Sequence, residues 1–433
     1  MPRPRALASQ TCGVMLAIGW SGFAPAARAE PPAASAPAQI NPGLTGDWGG
    51  WRTRLADDGL TLSAGYVSEL ADNVQGGSRR KADEAGEFDV GFAVDLQRLV
   101  GLPGGVFKAT ATDRRGRNLV QDADLGVLEE VQEINGRGHT WRLTEFWYEQ
   151  TLGAVRLKLG RSPPNTDFAA FSCEFQNLSF CSAAPGNTVT GTWFNWPIGQ
   201  WSARLRVDGR LGYVQAGAYV LNPRDLEDGF TLGHFNGATG VLYPVEVGWT
   251  PTFAGRAGTY KIGAWRSTAD APGPRPGPAG GLPIAPLAPP RTSRSGVWVD
   301  LEQQLTGGSG SPSGGSGLAV FFNFMQADHR TAEIDQQIAV GLFYGGPLPG
   351  RSQDVLGVGL ARTQLNNSAG AAQLGPSAPL GPEGAEYAAE VYYSFRPRPW
   401  LSLSPNVQVI QHPGGLQSRP AIVVLGLKAR LAL

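Results

Sequence analysis

The sequence is poor in the residues that most enzymes and metal proteins are built on. It has four histidines, three cysteines and three methionines in 433 residues. The histidines (His139, His234, His329 and His412) are scattered, and His412 sits in a Pro-Gly-Gly turn. No Gly-x-Ser-x-Gly elbow and no zinc-ligand spacing is present, so neither hydrolase nor metal chemistry has a foothold, and no cofactor is expected. Charge is scarce too: Asp, Glu, Lys and Arg make up 17% of the chain, against the roughly 25% usual in soluble domains. No concentrated basic face exists, which excludes nucleic acid as a partner. Beyond residue 29 no apolar run approaches the ~20 residues of a spanning helix, which excludes a helical membrane protein.

What is present begins with an export signal. Arg3 and Arg5 precede a short apolar stretch, Gly13 to Trp20, and Ala27-Arg28-Ala29 offers the small residues of a cleavage site. That order predicts a secretory signal peptide over 1–29. A membrane anchor is the alternative, disfavoured by the short apolar run. Three of the 36 basic residues (Arg3, Arg5, Arg28) leave with the signal, so 33 remain against 36 acidic ones. Cys12 leaves as well. Cys173 and Cys181 remain as an even pair in an oxidising compartment, where a loop-tying disulfide is expected. The other reading is two small buried side chains. No histidine lies near enough to suggest a metal site.

Residues 30–43 are Pro/Ala-rich and read as a flexible N-terminal segment. Trp48 to Asp58 places Trp48, Trp51, Arg52 and Leu55 on one face of a short helix stopped by Gly59. From Leu60 to the last residue the period is two. Phe88, Val90, Phe92 and Val94 alternate with Asp89, Gly91 and Ala93; Leu205 and Val207 alternate with Arg204, Arg206 and Asp208. A mean hydropathy of −0.16 agrees with such alternation. Counting these segments gives about 16 strands, the size of a porin in the even-numbered series of membrane barrels. They are expected near 60–70, 87–97, 104–113, 140–150, 153–161, 201–208, 211–221, 241–250, 258–267, 295–305, 316–327, 336–345, 354–364, 385–396, 400–410 and 420–433.

The fold class that follows is all-β: a transmembrane antiparallel up-and-down barrel over 44–433 with a short N-terminal helix. Strands crossing lipid must close on themselves, because every backbone N–H and C=O needs an internal partner. Tight turns such as Gly153 and Asp208-Gly209-Arg210 contrast with Gly/Pro/Ser-rich connections at 271–290, 306–316 and 366–384. Short turns on one rim and long loops on the other are expected. Trp141, Trp147, Tyr148, Trp193, Trp196, Trp201, Trp249, Trp265, Trp298 and Trp400 fall at strand ends and suggest an interfacial girdle. At this strand number the lumen is an aqueous channel. The polar faces then argue for passage of a solute.

The stretch Leu44-Thr45-Gly46-Asp47-Trp48-Gly49-Gly50-Trp51-Arg52-Thr53-Arg54-Leu55-Ala56-Asp57-Asp58-Gly59-Leu60 resembles the OprB-type carbohydrate-selective porin family. Glu145-Phe146-Trp147-Tyr148-Glu149-Gln150, Lys158-Leu159-Gly160-Arg161, Phe175-Gln176-Asn177-Leu178 and Gln411-His412-Pro413-Gly414-Gly415 agree with it. The resemblance covers roughly 41–433. It implies a 16-stranded barrel in the outer membrane of a Gram-negative bacterium, with a narrow eyelet of arginines and acidic groups that favours sugars. Partners implied are small sugars, outer-membrane lipid and the barrel-assembly machinery, with the barrel a monomer or a homotrimer. Such barrels commonly end in an aromatic residue, whereas this chain ends in Leu433.

Arginine's rigid fork of donors suits paired hydroxyls, and carboxylates accept from them. The candidate eyelet residues, on inferred inward faces, are Arg142, Arg156, Lys158, Arg204, Arg206 and Glu390, with Trp193 as an apolar slide. The bland alternative is that these charges only pair with each other. Arg114, Arg115 and Arg117 form a further basic cluster, either in an inward loop or on the rim. Competing functions are a porin for other small solutes, a non-conducting envelope-binding barrel and, least favoured, an enzyme.

Overall fold

The computed structural model describes residues 43–227, 229–230, 232–233, 236–269, 294–307, 316–329, 331–366 and 384–433. The signal segment, most of the 30–43 segment, the 271–290 connection, His234 and the central parts of 306–316 and 366–384 lie outside them. The strands are β1 (Leu60–Gln75), β2 (Ala82–Asp95), β3 (Gly105–Gly116), β4 (Trp141–Leu152), β5 (Val155–Ser162), β6 (Gln200–Gly209), β7 (Gly212–Leu221), β8 (Gly240–Trp249), β9 (Thr252–Phe253), β10 (Arg256–Ser267), β11 (Arg294–Gln304), β12 (Gly317–Ala327), β13 (Ile334–Gly345), β14 (Val355–Leu365), β15 (Ala385–Arg398), β16 (Leu401–Gln411) and β17 (Ile422–Ala432).

Each long strand pairs antiparallel with its sequence neighbour, and β1 pairs with both β2 and β17. The sheet is therefore closed. β9 is a two-residue stub in the turn before β10, so the wall has 16 strands. No helix among the described residues is long and apolar enough to cross a membrane. The helix expected over Trp48–Asp58 is a single 3-10 turn, Trp48–Gly50, followed by α1 (Trp51–Asp57). Leu44 N donates to Ala432 O at 2.8 Å and Arg52 Nη1 to Leu433 O at 3.0 Å. These bonds tie the start of the barrel to its last strand.

The side chains are distributed the opposite way from a soluble protein. Ile262 is 60% exposed and Leu360 56%, while Glu390 and Lys428 are 1% exposed. Apolar residues face outward along the strands and polar ones face the lumen, as the period of two requires. The strands match the expected positions, but β1 runs five residues further and β2 begins five residues earlier. Toward that rim an outward residue no longer has to be apolar. Asp72 and Glu84 stand there, so the alternation fades while the hydrogen-bonded ladder continues.

The connections after β4, β6, β8, β11, β13 and β15 fall on the rim that also holds the chain's described ends. Gly153, at φ 60°, makes the two-residue turn after β4. The Gly/Ser-rich stretch 306–316 was expected among the long loops of the other rim. Its described ends, Gly307 after β11 and Ser316 before β12, lie on the short-turn rim, because rim follows strand parity and not composition. The loops that matter most are two others, 117–140 and 163–199, both on the opposite rim and both folded into the barrel. They carry α2 (Leu119–Asp122) and α3 (Ala184–Thr188).

Two apolar clusters hold these loops. Phe175 and Phe180 pack with Phe321, Phe343 and Tyr392 of β12, β13 and β15. Phe168, Trp193 and Phe194 pack with Tyr219, Trp265 and Trp298. This corrects the expected tryptophan girdle. Trp193, Trp265 and Trp298 are buried under the loop, and Trp193 meets Trp298 edge to face at 5.6 Å. Trp141 and Trp249 do face outward, the latter meeting Phe253 edge to face and packing against a tilted Tyr260.

Candidate functional site

The 163–199 loop is fixed to the β7–β15 side of the lumen, so open space remains on the β2–β6 side. The strands there alternate Asp89 on β2, Lys108 on β3, Glu145, Trp147 and Glu149 on β4, Lys158 on β5 and Arg204 on β6 into the lumen. Register places them side by side: Lys108 opposite Trp147, Glu149 opposite Lys158, and Lys158 opposite Arg204. Gly160 turns β5 under the loop at φ +136°; a Cβ there would lie 2.3 Å from Phe146 O. A cavity of about 460 Å³ lies between this wall and the loop, bounded by the indoles of Trp147 and Trp196.

Ion pairs organise the cavity. Lys158 Nζ lies 2.6 Å from Asp167 Oδ2 and 4.9 Å from the centre of the Trp147 ring. Asp167 belongs to the loop. It also takes Arg204 Nη1 at 3.5 Å and the Tyr219 hydroxyl at 3.0 Å. Arg204 Nη2 donates to Glu149, and Lys108 Nζ lies 2.7 Å from Glu145 Oε2. Trp196 Nε1 donates to Glu87 at 3.0 Å, and Glu87 in turn pairs with Arg114. A solute crossing here meets opposite charges within a few ångströms of each other and two flat apolar faces. Such a surface offers hydroxyl groups donors and acceptors together.

The expected site residues divide into three groups. Lys158 lines the cavity, and Arg204 stands behind it on Glu149 and Asp167. Arg156 and Arg206 stand one step nearer the short-turn rim. Their Nε atoms share Asp208 at 2.6 and 2.8 Å, and Arg206 lies 3.6 Å above the Tyr213 ring. Arg142, Glu390 and Trp193 are elsewhere. Arg142 donates to the carbonyls of Arg137, Asp225 and Leu226, and so binds two loops together. Glu390 accepts from the Gln176 and Asn177 amides at 2.9 and 2.8 Å, which clamps the 163–199 loop to β15. Trp193 is fully buried and presents no face to the open lumen. Of the other basic cluster, Arg114 is buried against Glu87, Arg115 pairs with Asp113 on the outer face, and Arg117 pairs with Asp83 and Asp122.

Residues that periodicity did not select do much of the positioning. Glu246 accepts from Ala169 N at 2.8 Å and Trp298 Nε1 at 3.1 Å. Glu386 accepts from Leu128 N and Gly414 N, both at 2.8 Å. Lys428, fully buried, reaches Glu69 at 2.9 Å, Glu133 at 2.8 Å and the Phe175 carbonyl at 2.8 Å. Wall carboxylates thus take up loop amides, and a wall ammonium takes up a loop carbonyl and carboxylate. This satisfies backbone groups that would otherwise be buried without partners. Cys173 and Cys181 are joined by a disulfide across the segment that carries Phe175, Gln176 and Asn177.

The comparisons agree with this geometry. Residues 79–433 match the family model described as carbohydrate-selective porin, OprB family. Porin B of Pseudomonas aeruginosa is 35% identical over 448 residues, covering 97% of each chain. The putative porin QuiX of Acinetobacter baylyi is 31% identical over 418 residues, covering 90% of this chain and 92% of its own. The high-pH structure of Pseudomonas putida OprB superposes with a TM-score of 0.82 at 35% identity, over 91% of this chain and 99% of that one. The closed barrel, the inward polar wall and these matches lead to one assignment: the chain belongs to the OprB family of carbohydrate-selective porins.

Proposed function

We propose that the chain is a passive channel for mono- and small oligosaccharides in the outer membrane of a Gram-negative bacterium, and not an enzyme. The observation that carries this is the constriction itself: the Trp147 and Trp196 indoles flank a cavity whose polar wall is the Lys158–Asp167–Arg204–Glu149 network. Pyranose rings have apolar C–H faces and hydroxyl edges. Indoles suit the faces, and fixed charges suit the edges. Because the side chains are already held by one another, a sugar replaces water at a pre-organised surface. Arg156 and Arg206 would receive the solute on the short-turn side. Delivery would use the 1–29 signal and the barrel-assembly machinery, with the mature chain working as a monomer or a homotrimer.

The test is single-channel conductance of the refolded mature chain in a planar bilayer, titrated with glucose, maltose and a neutral polyol of similar size. Saturable block by the sugars and not by the polyol is expected. Open channels indifferent to all three would leave a porin for other small solutes, and correctly folded barrels without conductance would point to an envelope-binding role.

A further inference from the structure

The outer face of β12 to β16 is apolar between the two rims, with Val340, Leu360, Val391 and Val407 all exposed. Its outward positions carry one charge, Arg362 of β14, and no carboxylate. Arg362 stands one outward step beyond Leu360, where the apolar band ends on the rim opposite the short turns. Gln326, Gln336 and Gln364 pair across three strands in a row beside it, and Tyr387 is its partner on β15. Arg362 Nη1 donates to Gln336 Oε1 at 2.9 Å, and Gln336 Nε2 to Gln326 Oε1 at 3.0 Å. Gln326 Nε2 ends the chain on the Ala327 and Asp335 carbonyls at 3.0 and 2.8 Å. The guanidinium is thus fixed through one N–H. Its other donors have no partner among the described residues, nor has the Gln364 amide.

We propose that this face seats a phosphorylated glycolipid of the outer leaflet, with Arg362 holding a phosphate monoester. In such barrels the rim with the longer loops faces outward, so the headgroups beside the glutamine row are those of the outer leaflet. Arginine's planar fork takes two phosphate oxygens at once. The Gln364 amide suits sugar hydroxyls and acyl carbonyls, and acyl chains lie along Leu360 and its neighbours. A guanidinium facing lipid is costly without an anion, and the phosphate supplies one. Charge selects this side of the barrel. At the same rim the outer faces of β1 to β3 carry Asp72, Glu84 and Asp113, and the one arginine there, Arg115, is already paired with Asp113 at 2.7 Å. The inference depends on placement in the outer membrane and is independent of which solute crosses the lumen.

The experiment is native mass spectrometry of the refolded full mature chain in detergent micelles doped with lipid A, which carries phosphate monoesters, or with phosphatidylglycerol, which carries one phosphodiester. One lipid A per barrel is expected, with phosphatidylglycerol held about tenfold more weakly. Arg362→Gln, neutral and still able to donate to Gln336, should lower lipid A occupancy by about tenfold. Arg362→Leu suits the lipid-facing surface and should do the same in a barrel whose heat resistance by gel mobility matches the parent. Arg266→Gln, at an outward arginine of β10 on the same rim, should leave occupancy unchanged. Lipid A binding that ignores both Arg362 variants overturns the proposal. So does an equal loss in Arg266→Gln, which would mean diffuse attraction to the rim, or equal retention of phosphatidylglycerol, which would mean a belt for any anionic lipid.

Discussion

Lys158, on the fifth strand of the wall, and Asp167, on the loop folded into the lumen, are 2.6 Å apart, and both are almost fully buried. One pair thus joins the two halves of the constriction. Asp167 also receives Arg204 and the Tyr219 hydroxyl. Removing it strands Lys158 and takes one partner from Arg204, which keeps Glu149, and one from the Tyr219 hydroxyl, and losing one partner of a buried pair costs about 3–5 kcal/mol. Asp167→Ala should lower the stability of the docked loop by that order, weaken sugar block by more than tenfold and raise single-channel conductance. Thermal unfolding in detergent and blockade titrations check both. An unchanged block constant would show that the loop side of the constriction does not touch the solute.

Glu390 is expected to matter for a different reason from Asp167. It points at the Gln176 and Asn177 amides and not at the open channel. Hydrogen bonds to a charged group contribute about 1.5–3 kcal/mol each. Glu390→Gln keeps the size but leaves only one acceptor oxygen for the two amides. Open-channel current noise should rise, because the loop fluctuates against the β15 wall, while the Arg204 side of the site keeps its partners. Amide exchange at 175–178 measured by mass spectrometry should quicken in parallel. Quiet channels and unchanged exchange would mean that the aromatic cluster around Phe175 holds the loop alone.

These two residues also mark what periodicity can deliver. A strand in a barrel has two faces, so alternation alone put Lys158, Arg204, Arg156 and Arg206 on the lumen side, and the structure has them there. It put Glu390 on that side correctly, but could not say that a loop would reach it first. Glu149 has the same parity as Trp147 and was within reach of the same argument. Asp167 was not, because the 163–199 segment has no period. Its one sequence clue is chemical: Phe168, Phe171, Phe175 and Phe180 in a connection cannot all face water and must be covered by something. The lumen wall supplies that cover, Tyr219 for Phe168 and Phe321, Phe343 and Tyr392 for the others, at positions far from the loop in the chain. Pairing across that distance is fixed by barrel closure, which local pattern does not encode. The tryptophans failed for the same reason: a ring at a strand end looks identical in sequence whether lipid or a folded loop covers it.

The second inserted loop should respond to pH. Burial, reinforced by the nearby Glu386 and Glu130 charges, pushes the Glu129 carboxyl up to about 8, and burial raises Glu130 to about 7. In a loop released into water both would return to the ordinary value near ~4.3. A carboxyl whose docked value is raised favours the docked state when protonated. That contribution is complete below about pH 4 and is lost as pH rises through about 7 to 8. Hydrogen exchange at 127–132, corrected for intrinsic rate, should therefore accelerate between pH 6 and pH 9. Glu129→Gln, neutral at every pH, should flatten most of the dependence. Slower exchange at high pH would contradict the sign.

The disulfide should act on the loop and not on the barrel. Cys173 and Cys181 are eight residues apart in sequence, and closing so small a ring removes about 2–3 kcal/mol of chain entropy from the undocked loop in the loop-closure treatment. Inside the ring lie Phe175, which anchors the aromatic cluster, and the two amides that Glu390 holds. Lys428 and Arg430 both donate to the Cys173 carbonyl, so the undocked loop would also uncover two wall cations. The 16 strands need none of these contacts to close, because their pairing runs through β1 and β17. Cys173→Ser/Cys181→Ser should therefore still yield a heat-resistant barrel by gel mobility. Limited proteolysis should cut it faster between 173 and 181, and its channels should be larger and less readily blocked by sugar. A variant that fails to form the barrel at all would place the bridge on the assembly route, whereas one that resists the protease as the parent does would show that Phe175 and Glu390 suffice to hold the segment closed.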